Sequence, residues 1–264
     1  MYTLEHGPGL WQAGEQGLPY KQVKQLVDTA LEQGATWTDT AAAYPNSDEN
    51  LARIVQEQEQ QEAGSASRYQ RTSKYGLYVV SFPPLVTEIN HSRARLEEHY
   101  AQNQETYQKL ALTAMFMHKA NLAALQDPHF QQVADFIRND MNIPLLGASV
   151  AYSEPDALAY IASGKSRLNM VQMPFRPGTL KYARAATQNG VKTVWNRVFR
   201  TLEMEDAKKR GDANAATAAA KAAAEIVVRE TEDIDCVILI GSTDSERYVR
   251  DADMLKAEMR RQGR

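Results

Sequence analysis

The chain has 264 residues with a formal net charge of −3, and 43% of them are hydrophobic and 24% charged. That length suits one α/β barrel, and the balance gives no electrostatic reason to expect nucleic acid or an anionic membrane as a partner. The single cysteine, Cys236, excludes an internal disulfide.

The N-terminal MYTLEHGPGLWQ lacks the basic lead and apolar run of a signal peptide, and no stretch approaches the roughly 20 apolar residues of a membrane helix. A cytoplasmic protein is the expectation. After GPGLWQ, Val23, Leu26, Val27, Ala30 and Leu31 recur at helical spacing up to Gly34. ATWTDT follows as a short strand, and Ser47 is placed to cap a helix over DENLARIVQEQEQQEA. YQRTSKYG reads as the third strand and VTEINHSRARLEEHYAQ as the third helix, with Ile89 among its apolar positions. LALTAMFMH is the fourth strand, followed by a helical region broken near Pro128. The pattern then repeats through IPLLGASV, LNMVQMPF, VKTVWNRVF and IDCVILIG, each followed by a helix, one of them the alanine-rich NAATAAAKAAAEIVVRETE.

About eight strand-then-helix units, with no break in composition, predict one domain over 1–264 built on a parallel sheet. A doubly wound sheet and a closed (β/α)8 TIM-type barrel both satisfy the alternation. The count of eight, and the lack of GxGxxG after the first strand, favour the barrel. In a barrel every strand end feeds one face, so chemistry-bearing residues should collect there. Asp39 ends the second strand, Lys74 the third and His118 the fourth, while Tyr44 stands just past the second. Singly, each has a plain reading: a helix cap, a rim aromatic, a solvated end, a loop histidine. Together they form an acid–base set. A free tyrosine titrates near 10, and an adjacent ammonium lowers that value; a carboxylate can hold the ammonium, and a histidine can orient a substrate oxygen. Such a set suits protonating a carbonyl oxygen while a hydride arrives at carbon, and a hydride must come from a cofactor.

The segments WTDTAAAYPNSDENL, TSKYG and MFMHK resemble those of the aldo-keto reductases in order and spacing. The resemblance extends from GPGLWQ to the last helix. It implies a (β/α)8 barrel using NADP(H) to reduce an aldehyde or ketone. Tyr44 would be the general acid, Lys74 and Asp39 would tune it, and His118 would orient the carbonyl. It also implies cofactor contacts at Trp11, Ser149, Gln172, Asn196, Arg197, Ser242, Thr243, Arg247 and Asp251. The last four lie in IGSTDSERYVRDAD, where Arg247 would meet an adenosine phosphate and favour NADP over NAD. Departures from the family are Pro45 after Tyr44, Val150 in place of asparagine, Asn196 in place of tyrosine and Gly241 in place of a basic residue. Trp195 and Arg197 flank Asn196 as substitutes for its stacking role. The family's hairpin over the barrel floor is expected to be reduced or absent. Trp11, the Phe82–Pro84 segment and Phe199 are candidates for an apolar substrate mouth, and the charged FRTLEMEDAKKRGDAN for a flap over the cofactor.

Two other readings stand beside this one. Val150 and Asn196 motivate an NADP(H)-binding sensor or accessory subunit with little turnover. A cofactor-free isomerase or lyase has less support, and the five scattered histidines show no metal-ligand spacing.

Overall fold

The computed structural model describes residues 4–81, 86–199 and 210–263. Strand β1 (Leu4–Gly9) leads through two helices to β2 (Trp37–Asp39), and the helix Ser47–Gln61 leads on to β3 (Gln70–Tyr75). A hairpin of β4 (Leu77–Ser81) and β5 (Val86–Ile89) follows, then the helices Arg93–Gln102 and Gln104–Leu110. Strands β6 (Ala114–Met117), β7 (Leu145–Ser149), β8 (Met170–Pro174), β9 (Lys192–Asn196) and β10 (Cys236–Gly241) complete the chain with helices between them and a final helix at Ser245–Arg261. The eight parallel strands close in the order β1, β10, β9, β8, β7, β6, β3, β2. This is the (β/α)8 barrel that the alternation predicts.

Alternation along each strand divides the packing in two. Trp37, Ala114, Phe116, Met170, Val194, Val237 and Leu239 fill the barrel interior. Gly147 is part of that fit, since a Cβ there would come within 2.4 Å of the Phe116 ring. The neighbouring residues, among them Met115, Met117, Val171, Trp195 and Ile238, pack outward against the helices in a larger core. At the N-terminal end of the strands Lys192 pairs with Glu5 at 2.6 Å and with Asp235 at 3.3 Å. The polar residues at the opposite end therefore stand above a solid apolar plug.

Three local expectations change. Val86–Ile89 is not the start of a helix but pairs antiparallel with Leu77–Ser81. The helix begins at Arg93, where the Ser92 hydroxyl accepts from the Arg95 amide at 3.3 Å. The β-branched Val79, Val80, Val86, Thr87 and Ile89 favour strand over helix here, and Ile89, expected on an apolar helix face, is 59% exposed. Ser47 does not cap its helix. It is the first helical residue, buried, with no hydrogen bond to its hydroxyl among the described residues. The preceding turn explains this: Pro45 and Asn46 occupy the two central positions, Asn46 has φ 56°, and the Ser47 amide bonds the Tyr44 carbonyl at 3.0 Å. Trp195 faces away from the barrel interior and is wholly buried, edge-on to Phe175. It cannot substitute for Asn196 at the mouth. Among the described residues no helix is long and apolar enough to cross a membrane.

Candidate active site

A cavity of about 1040 Å³ opens at the C-terminal ends of the strands. Register brings its floor together: Gly9 lies beside Asp39, Lys74 beside Phe116, Ser149 beside Gln172 and Pro174 beside Asn196. Lys74 is completely buried and Asp39 nearly so. The Lys74 ammonium donates to Asp39 Oδ2 at 2.5 Å and to the Thr40 carbonyl at 2.9 Å. The Thr72 hydroxyl donates to Asp39 Oδ1 at 2.9 Å, so both carboxylate oxygens are held. The sequence reading missed Thr72, although its place two residues before Lys74 puts it on the same face of β3.

Lys74 also stands beside Tyr44, its Nζ 5.1 Å from the ring centroid and its charge acting on the phenol. The His118 ring meets the Tyr44 ring edge-on, with centroids 5.8 Å apart. The four residues expected to form an acid–base set are thus in one place. Gly14 permits this packing: a Cβ there would lie 2.7 Å from the Tyr44 Cβ, so the helix Trp11–Glu15 sits directly behind the tyrosine.

Electrostatics correct one expectation. Burial raises the Tyr44 phenol above its ordinary value, and Lys74, which lowers it, offsets that only in part. The net direction is up, because desolvating a phenolate outweighs one neighbouring cation. Burial disfavours the charged form of Lys74, but Asp39 and Tyr44 outweigh it and hold Lys74 above its ordinary value. Burial, followed by the charge of Lys74, Lys119 and His91, keeps His118 well below the ordinary histidine value. At neutral pH the site therefore holds a protonated phenol, an ammonium and a neutral imidazole. The His118 main chain is fixed on both sides, its amide donating to Tyr75 O at 2.8 Å and its carbonyl bonding the His91 ring at 2.7 Å.

Around this set lie several polar atoms that make no hydrogen bond among the described residues: His118 Nδ1, Gln172 Nε2, Asn196 Oδ1 and Arg247 Nε. The Ser149 hydroxyl donates to Gln172 Oε1 at 2.8 Å, fixing the Gln172 amide. Trp11, Ser149, Gln172, Asn196, Arg197 and Arg247 line the cavity, as do Val150, Phe199 and Gly241. Ser242, Thr243 and Asp251 are not among its lining residues. Ser242 is buried, its hydroxyl donating to the Asp244 carbonyl at 2.7 Å and accepting from the Asp244 amide at 3.1 Å. Asp251 is buried beside two cations, 3.6 Å from Arg247 and 3.1 Å from Arg250. Its position suits holding Arg247 rather than meeting a ligand. Phe82–Pro84, most of the proposed mouth, and residues 200–209 of the proposed flap lie outside the described residues.

Behind the site is a carboxyl that sequence reading passed over. Asp48 is buried, with its two oxygens 3.1 Å from the Ser73 hydroxyl and Oδ2 3.5 Å from the Tyr107 hydroxyl. Burial, helped by Glu49, moves it from its ordinary 3.8 to about 7, against the pull of Ser73 and Lys74. The unfolded chain releases this proton near the ordinary value, whereas the folded chain keeps it until about pH 7. Over that interval the native state binds more protons, so this group makes stability fall as pH rises. Asp48→Asn is expected to be more stable than the parent at about pH 7.5, by on the order of 2–4 kcal/mol, and to lose that advantage near pH 4. Urea unfolding at the two pH values measures it, and an advantage independent of pH would exclude ionisation of Asp48 as the cause.

No family model and no curated protein matches the sequence. Solved structures do match the fold, and several are described as aldo-keto reductases. A Pseudomonas aeruginosa protein assigned to that family has a TM-score of 0.72 at 15% identity, over 96% of this chain and 90% of its own. Glycerol dehydrogenase from Gluconobacter oxydans has a TM-score of 0.64 at 15% identity, over 97% and 91%. An aldo-keto reductase from Klebsiella pneumoniae, solved in complex with NADPH, has a TM-score of 0.61 at 16% identity, over 95% and 85%. At such identities the likeness shows a shared barrel fold; roles for the residues of this chain rest on its own geometry.

Proposed function

We propose that the protein is an NADP(H)-dependent oxidoreductase of the aldo-keto reductase type, reducing an aldehyde or ketone to an alcohol. The observation that carries this reading is the buried Asp39–Lys74–Tyr44 chain, opening toward His118 at the cavity floor. A site that only bound a ligand has no need of a protonated phenol backed by a buried ammonium.

The cavity also suits the cofactor. Gln172 Nε2 offers a donor and Asn196 Oδ1 an acceptor, both buried and without partners among the described residues. A carboxamide presents the complementary acceptor and donor, so these two residues, with Ser149 fixing Gln172, would hold the nicotinamide amide. Asn196 thereby acquires a hydrogen-bonding role that a stacking tyrosine would not have. Arg247, its Nε 3.6 Å from Asp251 Oδ2 and without a hydrogen bond among the described residues, is the candidate for the adenosine phosphate. NADPH, when bound, supplies the hydride. The protein's own residues supply the rest: His118 orients the carbonyl oxygen, Tyr44 gives it a proton, and Lys74 stabilises the phenolate left behind. Asp39 and Thr72 keep Lys74 charged and in place.

Fluorescence titration with NADPH and NADH, followed by cofactor oxidation against a panel of aldehydes and ketones, tests the reading. Tight binding of NADPH with oxidation by several aldehydes is expected. Binding without turnover across the panel would favour the sensor reading that Val150 motivates, since this apolar residue lines the cavity where a second amide is expected. Binding of neither nucleotide would sink both.

A further inference from the structure

We infer that the substrate carries an anionic group beside its carbonyl end, and that Lys119 receives it. This rests on the reductase reading and narrows it to a substrate class.

The chain as a whole is acidic, at −3, yet the cavity is lined by Lys119, Arg176, Arg197 and Arg247, with Asp39 as the one lining carboxylate among the described residues. Asp39 is already neutralised by Lys74. A cavity of one sign draws ligands of the other. Arg247 and Arg197 belong to the dinucleotide side in the reading above. Arg176 stands over the Tyr152 ring, 5.4 Å from its centroid. Lys119 is left over, and it is the cation next to the reacting end.

Its placement is specific. Lys119 directly follows His118 and holds a left-handed backbone, φ 52°, which a lysine adopts only at a cost of about 1 kcal/mol. Main-chain bonds on both sides impose it: His118 N to Tyr75 O at 2.8 Å, and Ala120 N to Ser149 O at 2.9 Å. The side chain is exposed and forms no ion pair among the described residues. Its charge is felt at the His118 ring. An exposed ammonium with no ion pair among the described residues contributes little to folding. It is well placed for a carboxylate or phosphate a few bonds from that carbonyl. Leu77, Val150 and Phe199 supply apolar wall for the carbon chain between.

The test compares chain-matched pairs: 4-oxobutanoate against its methyl ester, and glyceraldehyde 3-phosphate against glyceraldehyde. One charge-assisted contact predicts a preference of roughly tenfold to a hundredfold in kcat/KM for the anionic member, mostly through KM and weakened by salt. The first pair reads a carboxylate source, the second a phosphate. Lys119→Met should bring the ratio to within about twofold and Lys119→Arg should keep most of it. Turnover of neutral aldehydes with no anionic preference overturns the inference and leaves the reductase reading standing. So does a preference that survives Lys119→Met. Failure of every aldehyde despite NADPH binding overturns the reductase reading itself, and the inference with it.

Discussion

Replacing Tyr44 by phenylalanine is expected to lower turnover by roughly a hundredfold or more, with NADPH affinity changed by less than about twofold. The two effects separate because the substitution removes one oxygen and little else. The ring still fills the space in front of Gly14 and still meets His118 edge-on. What is lost is the only group in the set that is protonated and can give its proton up to a forming alkoxide. Lys74 is unsuited, because Asp39 holds it above the ordinary lysine value. His118 is neutral, held well below the ordinary histidine value by burial and three neighbouring cationic or imidazole groups, and so orients better than it donates. Steady-state kinetics on an aldehyde the parent reduces, with fluorescence titration of NADPH, reads both quantities. Full turnover in the phenylalanine variant would transfer the acid role away from Tyr44.

The four residues of this set were legible in the sequence because a barrel converts one-dimensional pattern into position. Asp39, Lys74 and His118 each fall at or next to the end of a strand, apolar in AMFM but read from the strand–helix alternation in WTD and QRTSKY, and parallel strands deliver their ends to one face. Gln172 and Ser149 came from the family resemblance rather than from the strand pattern, and register makes them neighbours. Other features depended on contacts between distant segments, which no local pattern records. Thr72 matters through its bond to Asp39, 33 positions away, and Asp48 through Ser73 and Tyr107. Neither residue type is unusual where it stands. The β4–β5 hairpin was misread for another reason. Only Asn90 and His91 separate VTEI from SRARLEEHYAQ, and the strong helical pattern of the second segment was extended over the first, although β-branched residues and the Ser92 cap mark the boundary. The direction of the Tyr44 shift was also misjudged. Sequence identifies a cation beside the phenol but not the burial that outweighs it.

Lys74→Met should cost about 3–5 kcal/mol of stability as well as most of the activity, because it leaves the Asp39 carboxylate buried with its cation gone. Lys74 is completely buried and Asp39 is only 4% accessible to solvent, so water cannot replace the missing partner. The Thr72 hydroxyl would remain at 2.9 Å, but one neutral donor does not balance a buried charge. Adding Asp39→Asn removes that charge, and the double variant should regain most of the lost stability. Turnover should not return with it, since the phenolate formed at Tyr44 would still lack its ammonium. Urea unfolding of the parent, both single variants and the double variant closes the cycle, and NADPH oxidation on the same four proteins supplies the second readout. A stabilising pair predicts strong coupling in both cycles, with recovery in the first alone. If the double variant were no more stable than Lys74→Met, the lysine would be holding the fold through its bond to the Thr40 carbonyl rather than through Asp39. If the double variant regained turnover, Lys74 would have no part in making Tyr44 an acid.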